Sequence, residues 1–152
     1  LMKWTHHDIS QYVEAKEYID TLIIPLIPFG AQKDEQMKKQ AFQKELLNMF
    51  VNEIEKEYKG RIVLLPEYYY LSGEVNRETA RLNRWVEAFT ELPFEHVFLF
   101  TFDVNWRKAS KDIDGEVIWL PGLQSGNLQS SEAQSFIKEQ VSQIAEMIRS
   151  YW

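Results

Sequence analysis

A chain of 152 residues with a formal net charge of −6 fits one domain and can bury roughly two-thirds of its unfolded surface, so no covalent staple is needed. The absence of cysteine excludes disulfides, thiolate metal sites and cysteine nucleophiles, and suits a reducing compartment, the cytoplasm by default. The acidic balance argues against a nucleic-acid role, and no stretch approaches the roughly 20 apolar residues needed for membrane insertion.

The N-terminus lacks an apolar core of signal-peptide length. Leu1 before Met2 reads as an added residue, which puts a single domain over 2–152. Thr5 with Asp8 forms a capping signal, and Ile9, Tyr12, Val13 and Ile19 follow at helical spacing, predicting a helix over 5–19. A strand opens at Thr21; Pro25 inside it removes a ladder donor, so a bulge or one unpaired side is expected there. Gly30 marks a turn. Met37, Phe42, Leu46, Leu47, Phe50, Val51, Ile54 and Tyr58 line one face of a long helix that Gly60 can end in a left-handed cap.

A second strand covers Ile62–Leu65. Beyond Ser72-Gly73, Val75, Leu82, Trp85, Val86, Phe89 and Leu92 predict a helix stopped by Pro93. The third strand begins near His96 and the fourth covers Val117–Leu120. The last helix starts at Ser130 or Ser131, with Gln134 placed for a capping box from Ser131, and runs to the C-terminus.

Strands that are apolar on both faces require cover on both sides. The expected fold is a three-layer α/β sandwich, flavodoxin-like or Rossmann-like, with a four-stranded, mostly parallel sheet. The link over 103–116 leaves the fourth strand open. Asp114-Gly115 is a hairpin signal that would make it antiparallel, whereas a loose crossover would keep it parallel and lets the last helix pack back more easily.

In open α/β sheets ligands gather beyond the C-terminal strand ends. Glu67 and Asp103 are the carboxylates immediately following core strands, and two acids in different surroundings suit acid/base work. Tyr68, Tyr69 and Trp106 offer rings for stacking, although alternation on a strand exit sends at least one of Tyr68, Tyr69 and Tyr70 to the core. Arg107 fits either an anion or Asp103. Gly122, Ser125 and Gly126 precede the last helix, where backbone amides can hold an anion. The loop lacks a P-loop ending and a G-x-G-x-x-G spacing, so no nucleotide or other cofactor is expected. His6, His7 and His96 show no metal-ligand spacing, so no metal is expected. Arg77, Arg81 and Arg84 form a basic stripe, either laced to Glu74, Glu78 and Glu87 or open to an acidic partner. Trp4, Trp106 and Trp152 fall outside the predicted element interiors and leave a homodimer open.

Leu64-Leu65-Pro66-Glu67 resembles the glutamate strand of carbon-nitrogen hydrolases, whose chemistry the missing cysteine excludes. A glutamate after a strand is also similar to nucleoside deoxyribosyltransferase and TIR-type glycosidase domains, an analogy of fold alone. Met2-Lys3-Trp4, Ala15–Thr21 running into Ile24-Pro25-Leu26-Ile27-Pro28, and Val117-Ile118-Trp119-Leu120-Pro121 resemble the YpiF-type proteins of bacilli along the whole chain. That resemblance implies a short cytoplasmic protein linked to respiratory-complex production, and it brings no catalytic residues. Two functions follow: a module binding a protein partner or small ligand at the strand ends, or a glycosidase- or transferase-type enzyme on a nucleoside-like substrate using Glu67 and Asp103.

Overall fold

A nine-residue strand, β1 (Thr21–Phe29), runs through the centre of the sheet. Its even-numbered Leu22, Ile24 and Leu26 enter one core cluster, and its odd-numbered Ile23 and Ile27 enter another. β4 (His96–Thr101) divides the same way, Val97 and Leu99 to the first cluster and Phe98 and Phe100 to the second. Side chains alternate between faces, and both faces are apolar, so the two strands read as continuous apolar runs. α1 (His6–Glu14) and α3 (Val75–Thr90) close the first face, and α2 (Asp34–Glu57) and α5 (Ser131–Tyr151) close the second. The three-layer sandwich is as expected. The computed structural model describes residues 2–58, 60–91, 94–123 and 126–152; Leu1, Leu92, Pro93 and Ser125, on which sequence expectations fell, lie outside them.

Every strand pairing among the described residues is parallel, in the order β2-β1-β4-β5, with β3 also on β1. β2 (Ile62–Leu64) and β3 (Tyr68–Leu71) share one edge of β1, the former against Thr21–Ile23 and the latter against Leu26–Phe29. The sheet therefore has five strands rather than the four expected, because the chain re-enters it after Pro66. Pro25 accounts for the gap. Ile23 O accepts from Leu65 N at 2.9 Å, and Pro25, two residues on, faces the same edge with no N–H to give. With β2 and β3 taken as one interrupted strand, the order is that of flavodoxin-like sheets, with the switch point between β1 and β4.

β5 (Glu116–Trp119) is parallel to β4, so Asp114-Gly115 does not make a hairpin. The link has no amphipathic pattern long enough to read, yet it forms α4 (Trp106–Ala109) and a 3₁₀ turn (Ser110–Asp112), anchored by buried Trp106, Ala109 and Ile113. Gly115 is needed for close approach: a Cβ there would lie 2.5 Å from Leu99 Cδ1 and 3.1 Å from Val97 O. Thr5 caps α1 as expected, accepting from Asp8 N at 3.1 Å, but the helix gives way to a 3₁₀ turn at Lys16 and leaves Val13 exposed. Ser130, not Ser131, caps α5, accepting from Ala133 N at 3.1 Å; Gln134 donates to Leu128 O, so no capping box forms.

Candidate functional site

At the β1/β4 switch point the ends of four strands open into one cleft of about 410 Å³. Pro28 of β1, Ser72 just after β3, Asp103 just after β4 and Trp119 of β5 share its wall. The opposite wall is α2, which contributes Lys39, Lys44 and the amides of Gln36, Gln40 and Gln43. Gln40 Nε2 donates to Ser72 Oγ at 2.9 Å and fastens the helix to the β3 exit. Lys39 and Lys44 form no ion pair among the described residues.

Asp103 is held from beneath. Trp106, fully buried, donates from Nε1 to Tyr70 OH at 2.9 Å, and the Tyr70 hydroxyl donates to Asp103 Oδ2 at 2.6 Å. Asn105 N donates to Asp103 Oδ1 at 3.0 Å, while Asp103 N donates to Thr101 Oγ1 at 2.9 Å. Burial, the Asp103 charge and that short hydrogen bond push the Tyr70 phenol far above its usual pKa. It is thus a fixed neutral donor, and the carboxylate is oriented before any ligand arrives.

Glu67 lies elsewhere. It sits in the gap between β2 and β3, accepts from Asn48 Nδ2 at 3.0 Å, and lines a separate cavity of about 360 Å³ with Lys3, Pro25 and Asn52. No described residue lines both spaces. Tyr68 is buried and donates to Glu78 Oε1 at 2.6 Å; burial and that hydrogen bond raise its pKa. Tyr69 is exposed, edge-on to Phe29 at 5.9 Å. Trp106 belongs to the core, not to a ligand face. Arg107 leaves Asp103 alone and places its guanidinium 5.1 Å from the Trp119 ring centroid.

Gly122 and Gly126 lie off the cleft wall among the described residues, and Ser125 lies outside those residues. A Cβ on Gly122 would come within 3.0 Å of the Phe102 ring, and Gly126 has φ +133°, so packing and backbone conformation account for both glycines. On α3, Arg77 is 3.9 Å from Glu74, and Arg81 is 2.6 Å from Glu78 with its guanidinium over the Tyr68 ring. Arg84 forms no ion pair among the described residues.

At the far end of the sheet, Asp20, Glu95 and His96 bring ligand atoms within 4.8 Å of one another. Asp20 already receives Arg61 Nε at 3.1 Å and Nη2 at 3.0 Å, and Thr21 Oγ1 at 2.8 Å. Burial pushes its carboxyl up, but the Arg61 and Thr21 hydrogen bonds and the Arg61 charge outweigh that and hold it below the usual carboxylate value. A guanidinium occupying the carboxylate opposes a cation there.

The family model described as "Protein of unknown function (DUF2487)" matches residues 10–152. The chain belongs to that family. It is 30% identical over 151 residues to the uncharacterized protein YpiF of Bacillus subtilis (strain 168), covering 99% of this chain and 98% of that relative. No solved structure shows a significant match. The YpiF-type resemblance read from the sequence is therefore correct. No helix among the described residues is long and apolar enough to cross a membrane.

Of the site in this DUF2487 chain, Asp103 was visible to sequence reasoning, and the α2 wall was not. Gln36, Gln40 and Gln43 recur at helical spacing beside Lys39, a stripe of amides. By composition such a stripe resembles a solvated helix face, and only the sheet order shows that it borders a cleft.

Proposed function

We propose that this protein is a binding module for a small polar anion, held in the cleft between α2 and the ends of β1, β4 and β5. The carrying observation is the pair Lys39 and Lys44, which lack acidic partners among the described residues and stand on the wall of a concave site at the switch point. Uncompensated ammonium groups on a concave wall raise the local positive potential and attract an anion, and preformed pockets with few convergent polar groups are the usual form of ligand sites. The glutamine amides supply donors and acceptors to the ligand's polar body. Asp103, fixed by Tyr70 and Asn105, selects a ligand that also carries a hydroxyl or amine. A cytoplasmic setting belongs to this reading, as does the link to respiratory-complex production implied by the YpiF resemblance.

Catalysis by Glu67 and Asp103 together requires one substrate position reached by both acids. Their separate cavities offer no support for it. Calorimetric titration with inorganic phosphate, citrate and adenosine monophosphate tests the binding reading. The expected result is saturable one-to-one binding of at least one probe, weakened tenfold or more by Lys39→Ala with Lys44→Ala. Failure of every probe to bind folded protein contradicts the proposal.

A further inference from the structure

A third cavity, of about 490 Å³, lies between the N-terminal segment, the β2–β3 connection and α3; it shares Trp4, Leu65 and Pro66 with the Glu67 cavity and no described lining residue with the switch-point cleft. Trp4, Leu65, Pro66, Trp85, Ala88 and Phe89 make its apolar wall. Trp4 is 53% exposed although its ring stands edge-on to Phe89 at 6.1 Å, so about half of this wall residue is open to solvent.

Two arginines stand beside this wall, and only one is committed. Arg81 gives Nη2 to Tyr69 O at 2.6 Å, Nε to Glu78 Oε1 at 2.8 Å, and lies 4.1 Å from the centroid of the Tyr68 ring. Arg84 makes no hydrogen bond, ion pair or ring stack among the described residues. One guanidinium without a partner among the described residues, next to an aromatic and aliphatic hollow, matches one anionic group on an apolar body. A multiply acidic segment fits less well, because Arg77 and Arg81 already have Glu74 and Glu78.

We infer that this cavity binds an amphiphilic monocarboxylate, its tail on Trp4, Trp85 and Phe89 and its carboxylate on Arg84. A guanidinium meets a carboxylate through two parallel hydrogen bonds, and aromatic walls accept an alkyl or aryl tail without directional demands. The cavity volume lies in the range of small-ligand sites.

Decanoate below its micellar concentration is the probe, with decanol and butyrate as controls, followed by tryptophan fluorescence and by the indole N–H resonances of Trp4 and Trp85. Saturable decanoate binding that moves both indoles is expected. Arg84→Gln should weaken it at least tenfold with an unchanged melting temperature, since Arg84 is exposed. Decanol and butyrate should each bind at least tenfold more weakly than decanoate. The inference is overturned by unsaturable binding, by Arg84→Gln binding as tightly as the parent, or by decanol matching decanoate. Displacement of the Trp119 resonance in place of those of Trp4 and Trp85 overturns it too, as does binding only to a synthetic acidic peptide.

Discussion

At the N-terminal end of the sheet, Arg61 pairs with Asp20 through two nitrogens and stacks 3.8 Å from the ring centroid of Trp152, which donates to Thr21 Oγ1 at 2.9 Å. At the C-terminal end, Lys39 and Lys44 stand on a cleft wall and form no ion pair among the described residues, while Asp103 across the cleft accepts from Tyr70 and Asn105. Charges that satisfy one another inside the protein contribute to stability, and charges that line a concave space without pairing are available to a ligand. The contrast separates the two roles: substitutions at the first end should cost folding free energy, and substitutions at the second should cost binding.

The largest expected effect blurs that line. Trp106→Ala empties a fully buried site beneath Asp103 and should destabilise by about 3–5 kcal/mol in urea unfolding, because large-to-small core changes lose both transfer energy and packing. The floor of the cleft is thus core, and only its rim is free to serve binding. Arg61→Ala should cost about 2 kcal/mol, combining a charge-assisted pair with a cation–π stack on a partly exposed surface. A loss under about 0.5 kcal/mol would mean that the clasp on Trp152 is decorative.

Acid sharpens the same end. Asp20 has a lowered folded pKa, so its contribution is fully present above its unfolded value of about 3.9 and disappears as pH falls through the folded value. The stability gap between the parent and Arg61→Ala should therefore hold at pH 6 and shrink towards pH 2; a constant gap would assign it to stacking on Trp152. The smallest stability effect belongs to Lys39→Ala with Lys44→Ala, within about 0.5 kcal/mol of the parent by chemical denaturation. Removal of ammonium groups that have no ion-pair partner among the described residues leaves the fold's own interactions in place.

The layers were legible because short continuous runs, apolar on both faces and separated by long amphipathic segments, admit few architectures. The direction of β5 was less so, since Asp114-Gly115 carries a hairpin signal that Gly115 uses instead for contact with Leu99 and Val97. β3 escaped notice because Pro66 reads as a strand end, whereas the chain passes the Pro25 gap and pairs again with β1. This re-entry removes Glu67 from the rim and puts Ser72 there in its place. Tyr68 and Trp106 were read as rings for stacking, with at least one of Tyr68, Tyr69 and Tyr70 sent to the core; Tyr68, Tyr70 and Trp106 are all buried, because the hydroxyls and the indole N–H find long-range or cross-element partners that no linear pattern encodes. The α2 wall needs long-range order to be seen at all.

Two-dimensional NMR of the parent and the Lys39→Ala, Lys44→Ala protein during titration with phosphate, citrate and adenosine monophosphate is the most direct test. For a probe that binds, Gln36, Gln40 and Asn105 should shift saturably in the parent, and the variant should remain unmoved at the same concentrations. No saturable shift for any probe, or equal shifts in the two proteins, would contradict an anion site at the switch point.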